Sequence, residues 1–153
     1  MGFVHSGRPR SGCPVSVSLE KLGDRWSLLI VRDLMIRGCR SFKDFQQSGE
    51  GIASNILSDR LRKLRAAGII VAEAAKSDRR RVNYRLTRKG IDLAPVLLEL
   101  LLWASRHEKT GADCAAMQEL AANRKAVLAE VRKRWAARDR TPLQLPSGQW
   151  QLL

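Results

Sequence analysis

No stretch of the 153 residues reaches the ~18 apolar positions in a row that a membrane span requires. The first thirteen, MGFVHSGRPRSGC, hold no apolar core of the kind a signal peptide carries, so the chain is expected to be cytoplasmic with no membrane partner. Histidine is nearly missing. His5 and His107 are too few and too far apart for a metal site or a base–nucleophile pair. The three cysteines, Cys13, Cys39 and Cys114, are odd in number and widely separated, which argues against a disulfide framework and a cysteine-based zinc site. There is no GxGxxG, no Walker-type glycine loop and no internal repeat. Asp33, Asp44 and Asp59 have no partner at a spacing that suggests catalytic carboxylates. The expectation is therefore no catalytic residue, no metal and no cofactor: not an enzyme.

Acid is also scarce. Asp and Glu number 15 against 28 Lys and Arg, a net charge of +13, and the usual partner of so basic a chain is a polyanion. Apolar residues make up 44%, enough for one core.

Local signals order the elements. Residues 1–12 are polar and basic, a loose arm. CPVSVSLEKLG reads as a short helix with Cys13 just before it, Pro14 at its first position and Gly23 as its stop. DRWSLLIVRDLMIRG is a second helix, capped by Asp24, with Trp26, Leu29, Ile30 and Leu34 inward and Gly38 as terminator. SFKDFQQ is a third, with capping-box spacing of Ser41 and Asp44 and with Phe42 and Phe45 as anchors. After the turn SGEG a helix spans roughly 53–67. IIVAEAA and RVNYRLT then read as a β-hairpin joined by KSDRR. TRKGIDLAPVLLELLLWASRHE is helical again, capped by Thr87, with Pro95 marking a kink or a second start. Residues from 113 to about 137 read as one last helix striped by Met117, Leu120, Val127, Leu128, Val131 and Trp135. Trp135 and Trp150 are expected to cover apolar surface, and residues 139–153 form a tail. The fold class is mainly α with a small β-hairpin.

The helix at 53–67 carries the functional question. On a wheel of about 100° per residue, Leu57, Leu61 and Leu64 share one side. Asn55, Ser58, Asp59 and Arg62 share the other, and Ser54 lies at the N-terminal tip. A solvated face could look the same. These are nevertheless the side-chain types that read base edges, and a major groove admits a helix. A short helix, a tight turn and a polar-faced helix follow the helix-turn-helix order, and the hairpin makes it a winged one. The hairpin tip holds Arg79, Arg80 and Arg81, suited to a DNA backbone. Residues 53–90 contain eleven Lys and Arg against three acids (59, 73 and 78), so over half the excess charge sits in the helix and wing.

CPVSVSLEKLGDRWSLLIVRDL, RSFKDFQQ, GIASNILSDRLRKLRAAGII and RVNYRLTRKGIDLAPVLLELLLWASRH resemble, in that order, the HxlR family of winged helix-turn-helix regulators. The resemblance covers about residues 13–108. It implies a transcriptional regulator that binds double-stranded DNA as a homodimer, with 52–66 as recognition helix and the hairpin around Arg79–Arg81 as wing. It implies dimerisation through the first helix and the helix after the wing. It also implies a redox or electrophile sensor at the position of Cys13 in some members, and so a small-molecule or electrophile effector. The residues from 109 to 138, an additional helix, extend beyond the resemblance.

The residues support a dimer independently. Between 93 and 103 only Glu99 is charged, and a helix apolar nearly all round needs cover on more than one side. Val15, Leu19 and Leu22 in the first helix, and Leu93, Leu97, Leu100 and Trp103 in the later one, are the expected contact residues. The helix at 113–137 could provide that cover instead. Cys13, at a helix start with Arg8 and Arg10 upstream, has the setting of an activated thiol, or is an ordinary small residue at a cap. The alternative function is a winged-helix protein-interaction module without sequence-specific DNA binding. A thiol enzyme would need a base beside Cys13, and RNA binding suits a major-groove helix poorly.

Overall fold

A computed structural model describes residues 11–76 and 78–144. His5, Arg8, Arg10, Trp150, most of the arm at 1–12 and the tail from 145 lie outside the described residues.

The elements run α1 (Pro14–Leu22), α2 (Arg25–Arg32), a π-helical turn (Asp33–Arg37), α3 (Phe42–Gln46) and α4 (Ser54–Ala66). The hairpin β1 (Ile70–Ala74) and β2 (Val82–Leu86) follows, then α5 (Arg88–Ile91), α6 (Ala94–His107), α7 (Cys114–Ala122) and α8 (Arg124–Ala136). The described residues are thus mainly helical with one two-stranded antiparallel sheet, in register from Ile70 opposite Leu86 to Ala74 opposite Val82.

The local signals act as their chemistry requires. The Asp24 carboxylate accepts from the amides of Trp26 and Ser27, both at 2.9 Å, and so satisfies two orphan donors of α2. Ser41 and Asp44 close a reciprocal capping box on α3. Thr87 caps α5, and Pro95 stands in the first turn of α6, so the proline marks a second start. Asp33 is buried against Arg32 at 2.7 Å and Arg37 at 3.6 Å, and Asp44 serves the cap: both are structural carboxylates.

Two cores result. The main one joins Ile30, Val31 and Leu34 of α2 and its turn, Phe45 of α3, Leu57, Leu61 and Leu64 of α4, the sheet residues Ile70 and Leu86, and Ile91. A second sets Leu98 and Leu102 of α6 against Ala116, Met117 and Leu120 of α7.

The C-terminal region departs from the single helix expected at 113–137. It breaks at Asn123 (φ −113°, ψ 25°), whose side-chain amide turns back to the carbonyl of Glu119 at 2.9 Å and so competes with helix continuation. The Asp113 carboxylate caps α7 through the amide of Ala116. α8 then returns to the main core. Val131 is buried there, and the Trp135 indole N–H donates to the Leu86 carbonyl at 2.8 Å.

Beyond α8 the chain forms a strap. Leu143 is buried, and its amide donates to the Ile36 carbonyl at 2.7 Å. The strap crosses Gly38, which ends the π turn in the left-handed region at φ +75°. A Cβ there would lie 2.1 Å from the Arg140 carbonyl oxygen. Gly38→Ala therefore has to strain φ and displace the strap. It is expected to lower stability by roughly 1–3 kcal/mol. Urea unfolding checks this: the midpoint falls while the slope is kept, and an unchanged midpoint would show the strap undocked.

The expected dimer residues divide. Leu22, at the end of α1, and Leu93 and Leu97, at the start of α6, pack against the main core. Val15 (66% exposed), Leu19 (59%), Leu100 (47%) and Trp103 (51%) stay open, and Val96 (46%) joins them.

Candidate nucleic-acid interface

α3, the turn at 47–53 and α4 form the helix-turn-helix. Gly49 and Gly51, at φ +92° and +71°, supply the tight turn. Ile52 is buried just before α4, which begins at Ser54. α4 is two-faced: Leu57, Leu61 and Leu64 are at most 2% exposed, whereas Ser54, Asn55, Ser58 and Arg62 are open to solvent.

Several contacts fix this helix. The Gln46 side-chain amide donates to the Ser54 hydroxyl at 2.7 Å, joining α3 to the tip of α4. Arg60 reaches the Asp24 carboxylate at 3.4 Å, joining α4 to the cap of α2. At the other end, Lys89 donates to the Ala67 carbonyl at 2.8 Å and the Thr87 hydroxyl to the Gly68 carbonyl at 2.6 Å. Sequence reasoning misses these lashings. A hydroxyl and an amine just past the hairpin, where a helix end leaves free carbonyls, are the signal that could have found them.

Asp59, also expected at the DNA face, does not stand free on α4. Its carboxylate gathers Lys63 at 2.9 Å and Arg62, and these two cations hold it below the ordinary carboxylate range. It is a local ion-pair hub that presents Arg62 rather than a free acceptor. The Arg62 side chain remains 72% exposed.

The wing carries Arg79, Arg80 and Arg81 in its connecting turn, all exposed. Asp78 organises this turn, accepting from the Arg80 amide at 2.9 Å through its side chain and from the Arg81 amide at 2.9 Å through its carbonyl. The tip is thereby shaped, and Arg81, 3.9 Å from the Asp78 carboxylate, keeps its side chain 80% exposed.

Cys13 stands at the N-cap of α1, free and exposed. The amides of Ser16 and Val15 draw its thiol below the ordinary value. Cys39 is its opposite: burial and the neighbouring Asp33 push that thiol up to about 11. Among the described residues no three His, Cys, Asp or Glu side chains converge to hold a metal ion, and no helix is long and apolar enough to cross a membrane.

Known proteins place this geometry. A family model described as HxlR-like helix-turn-helix matches residues 21–111, from the end of α1 past α6. YdeP, an HTH-type transcriptional regulator of Bacillus subtilis (strain 168), is 31% identical over 108 residues, 71% of this chain and 84% of YdeP. The crystal structure of PA1607 shares 40% identity at a TM-score of 0.62, covering 68% of this chain and 71% of that one. The redox regulator HypR in its oxidised form shares 30% identity at a TM-score of 0.57, covering 63% and 99%. Cys13 and everything from residue 112 onward fall outside the span of the family model. With a winged helix-turn-helix built on these residues and the family model covering more than half of it, the chain belongs to the HxlR family of transcriptional regulators.

Proposed function

We propose that the protein is a cytoplasmic homodimeric regulator that binds double-stranded DNA sequence-specifically, without enzymatic activity. One observation carries the reading: α4 buries its leucines and leaves Ser54, Asn55, Ser58 and Arg62 open, beside a wing that ends in three exposed arginines. Asn55 and Arg62 read base edges, while Ser54, Ser58 and the wing arginines meet the backbone. Val15, Leu19, Leu100, Trp103 and Val96 form the contact between protomers. Leu22, Leu93 and Leu97 support that surface from within. In this division 13–108 is the DNA-binding and dimerising unit, and 109–138 buttresses it. Selection of bound sequences from a random duplex pool tests the reading. A two-fold motif is expected, and recovery of no motif would favour a protein-interaction module.

The wing has its own signature. Changing Arg79, Arg80 and Arg81 together to Ala is expected to weaken all duplexes alike. The log–log salt slope should become shallower by about 1 for each phosphate that the wing no longer neutralises. An unchanged slope would mean that the wing stays off the DNA.

Cys13 adds a redox response to this reading. Its exposed, activated thiol sits close in sequence to Val15 and Leu19, so a bulky adduct or a bridge to the partner alters how the protomers meet. The similarity to HypR, solved as an oxidised redox regulator, supports this role. Treatment with an electrophile or mild oxidant is expected to change operator affinity about tenfold, a bias of only ~1.4 kcal/mol between dimer arrangements. Cys13→Ser should abolish the response. An equal response in both proteins would rule Cys13 out.

A further inference from the structure

α7, α8 and the strap border a groove of about 570 Å³, in the segment beyond the span shared with the family. Ala126 and Val127 of α8 and Leu143 of the strap give it an apolar lining. Glu119, Asn123 and Glu130 add polar groups. The groove exists because the chain turns at Asn123 rather than continuing as one rod, and because the strap comes back beside α8, where Arg134 donates to the Thr141 hydroxyl at 2.6 Å. A space of this size has room for roughly twenty waters. Water held against an apolar wall is water that an apolar occupant releases with a gain in free energy.

The chain itself leads into this groove. Leu143 is buried and its amide is fixed to the Ile36 carbonyl, and the next residue, Gln144, already lines the groove. Nine further residues follow in the sequence, LPSGQWQLL at 145–153, outside the described residues. None of the nine has a charged side chain, in a sequence of which 28% is charged. Four of them, Leu145, Trp150, Leu152 and Leu153, are large and apolar, and water is a poor neighbour for so many in so short a run.

Length and chemistry both match. Val127 lies seven residues before Arg134 on α8, about 10 Å along the helix axis. The six residues from Leu145 to Trp150 span up to about 20 Å when extended, so the indole reaches Val127 with slack for a bend at Pro146 and Gly148. An indole buried on one side needs an acceptor for its N–H. The Glu119 carboxylate has no ion pair or hydrogen bond among the described residues, and Glu130 holds only a loose pair with Lys133 at 3.9 Å. Gln149 and Gln151 bring further amide donors to the same acceptors. We infer that residues 145–153 of the same chain occupy this groove, with Trp150 against Ala126 and Val127. So docked, they join α7, α8 and the strap into one unit and cover the break at Asn123.

The test follows the Trp150 indole by NMR in the full chain, with Trp150→Phe to assign it. Nuclear Overhauser contacts are expected between the Trp150 ring and the Val127 methyl groups. Exchange of the indole N–H with solvent should be at least about tenfold slower than in Ala126→Glu, a charge placed in the groove at an exposed position that leaves the core untouched. Ala129→Glu, exposed on α8 and away from the groove, should behave as wild type. The Trp135 indole N–H, bonded to the Leu86 carbonyl, reports in every variant that the fold is intact. No contact between Trp150 and Val127, or equal indole exchange in wild type and Ala126→Glu, would overturn the proposal. Contacts that survive isotope filtering in a mixture of labelled and unlabelled chains would also overturn it, since they would make a second copy the occupant. Because no DNA is present, failure here leaves the DNA-binding reading standing, and failure of that reading leaves this one standing.

Discussion

Replacing Leu100 and Trp103 together by glutamate is expected to turn the protein into a monomer and to cut operator affinity roughly 100-fold or more. Val96, Leu100 and Trp103 recur at helical spacing on a side of α6 that the described residues leave open, each about half exposed. Val15 and Leu19 on α1 add two further open apolar side chains. A patch of this kind on a small protein marks an interface, and a two-fold contact lets the same patch cover itself. Four carboxylates brought into such a contact repel one another and lose their water without gaining partners. The operator effect follows because two linked recognition helices, ~34 Å apart, bind far more tightly than one. Sedimentation equilibrium and duplex titration provide the measurements. A wild type that is monomeric at micromolar concentration without DNA would sink the idea, as would a double variant that still dimerises. Leu97→Glu makes a useful contrast, since Leu97 faces the main core. That change should unfold the protein rather than part the protomers.

Asn55→Ala and Arg62→Ala should each cost roughly 1–3 kcal/mol at the selected operator and relax the preference at one base pair. Asn matches adenine in a bidentate way, and Arg matches guanine. Both side chains leave the exposed face of α4. Arg62 is held by Asp59, which limits the rotamers it gives up on meeting DNA. Each variant is to be compared on the operator and on random duplex. A loss confined to the operator identifies a base contact, whereas equal losses on both identify a phosphate contact and remove the residue from the reading set.

The local part of this architecture is legible in the sequence because its causes are local. Asp24, Ser41 with Asp44, and Thr87 act within three residues of themselves, so a cap in the sequence is a cap in the fold. The inward leucines of α4 follow from helical spacing alone. The partition of α6 is not legible. A helix apolar on nearly every side does not say which side meets which neighbour. Only the packing sends Leu93 and Leu97 to one core, Leu98 and Leu102 to another, and Val96, Leu100 and Trp103 to neither. Asp59 looks like a free polar group on a helical wheel, although Lys63 lies four residues on, where an ion pair forms on any helix. The π turn and the strap rest on contacts between distant segments and leave no periodic trace.

The strap over Gly38 also makes protein synthesis matter. Arg40 donates to the carbonyl of Asp139, 99 residues further along, and Leu143 enters the same core as Val131. A growing chain therefore displays its helix-turn-helix and wing before the residues that seal them have been made. Contacts that close so long a loop bring their full entropic cost at the end, so α8 and the strap dock last. Until then Leu34, Leu86 and their neighbours lack part of their cover, and the nascent wing is open to proteases and chaperones. Messages cut short before residue 131 would yield products that carry the recognition helix but lack the seal. Such fragments should be cleared quickly rather than persist as competitors for the operator.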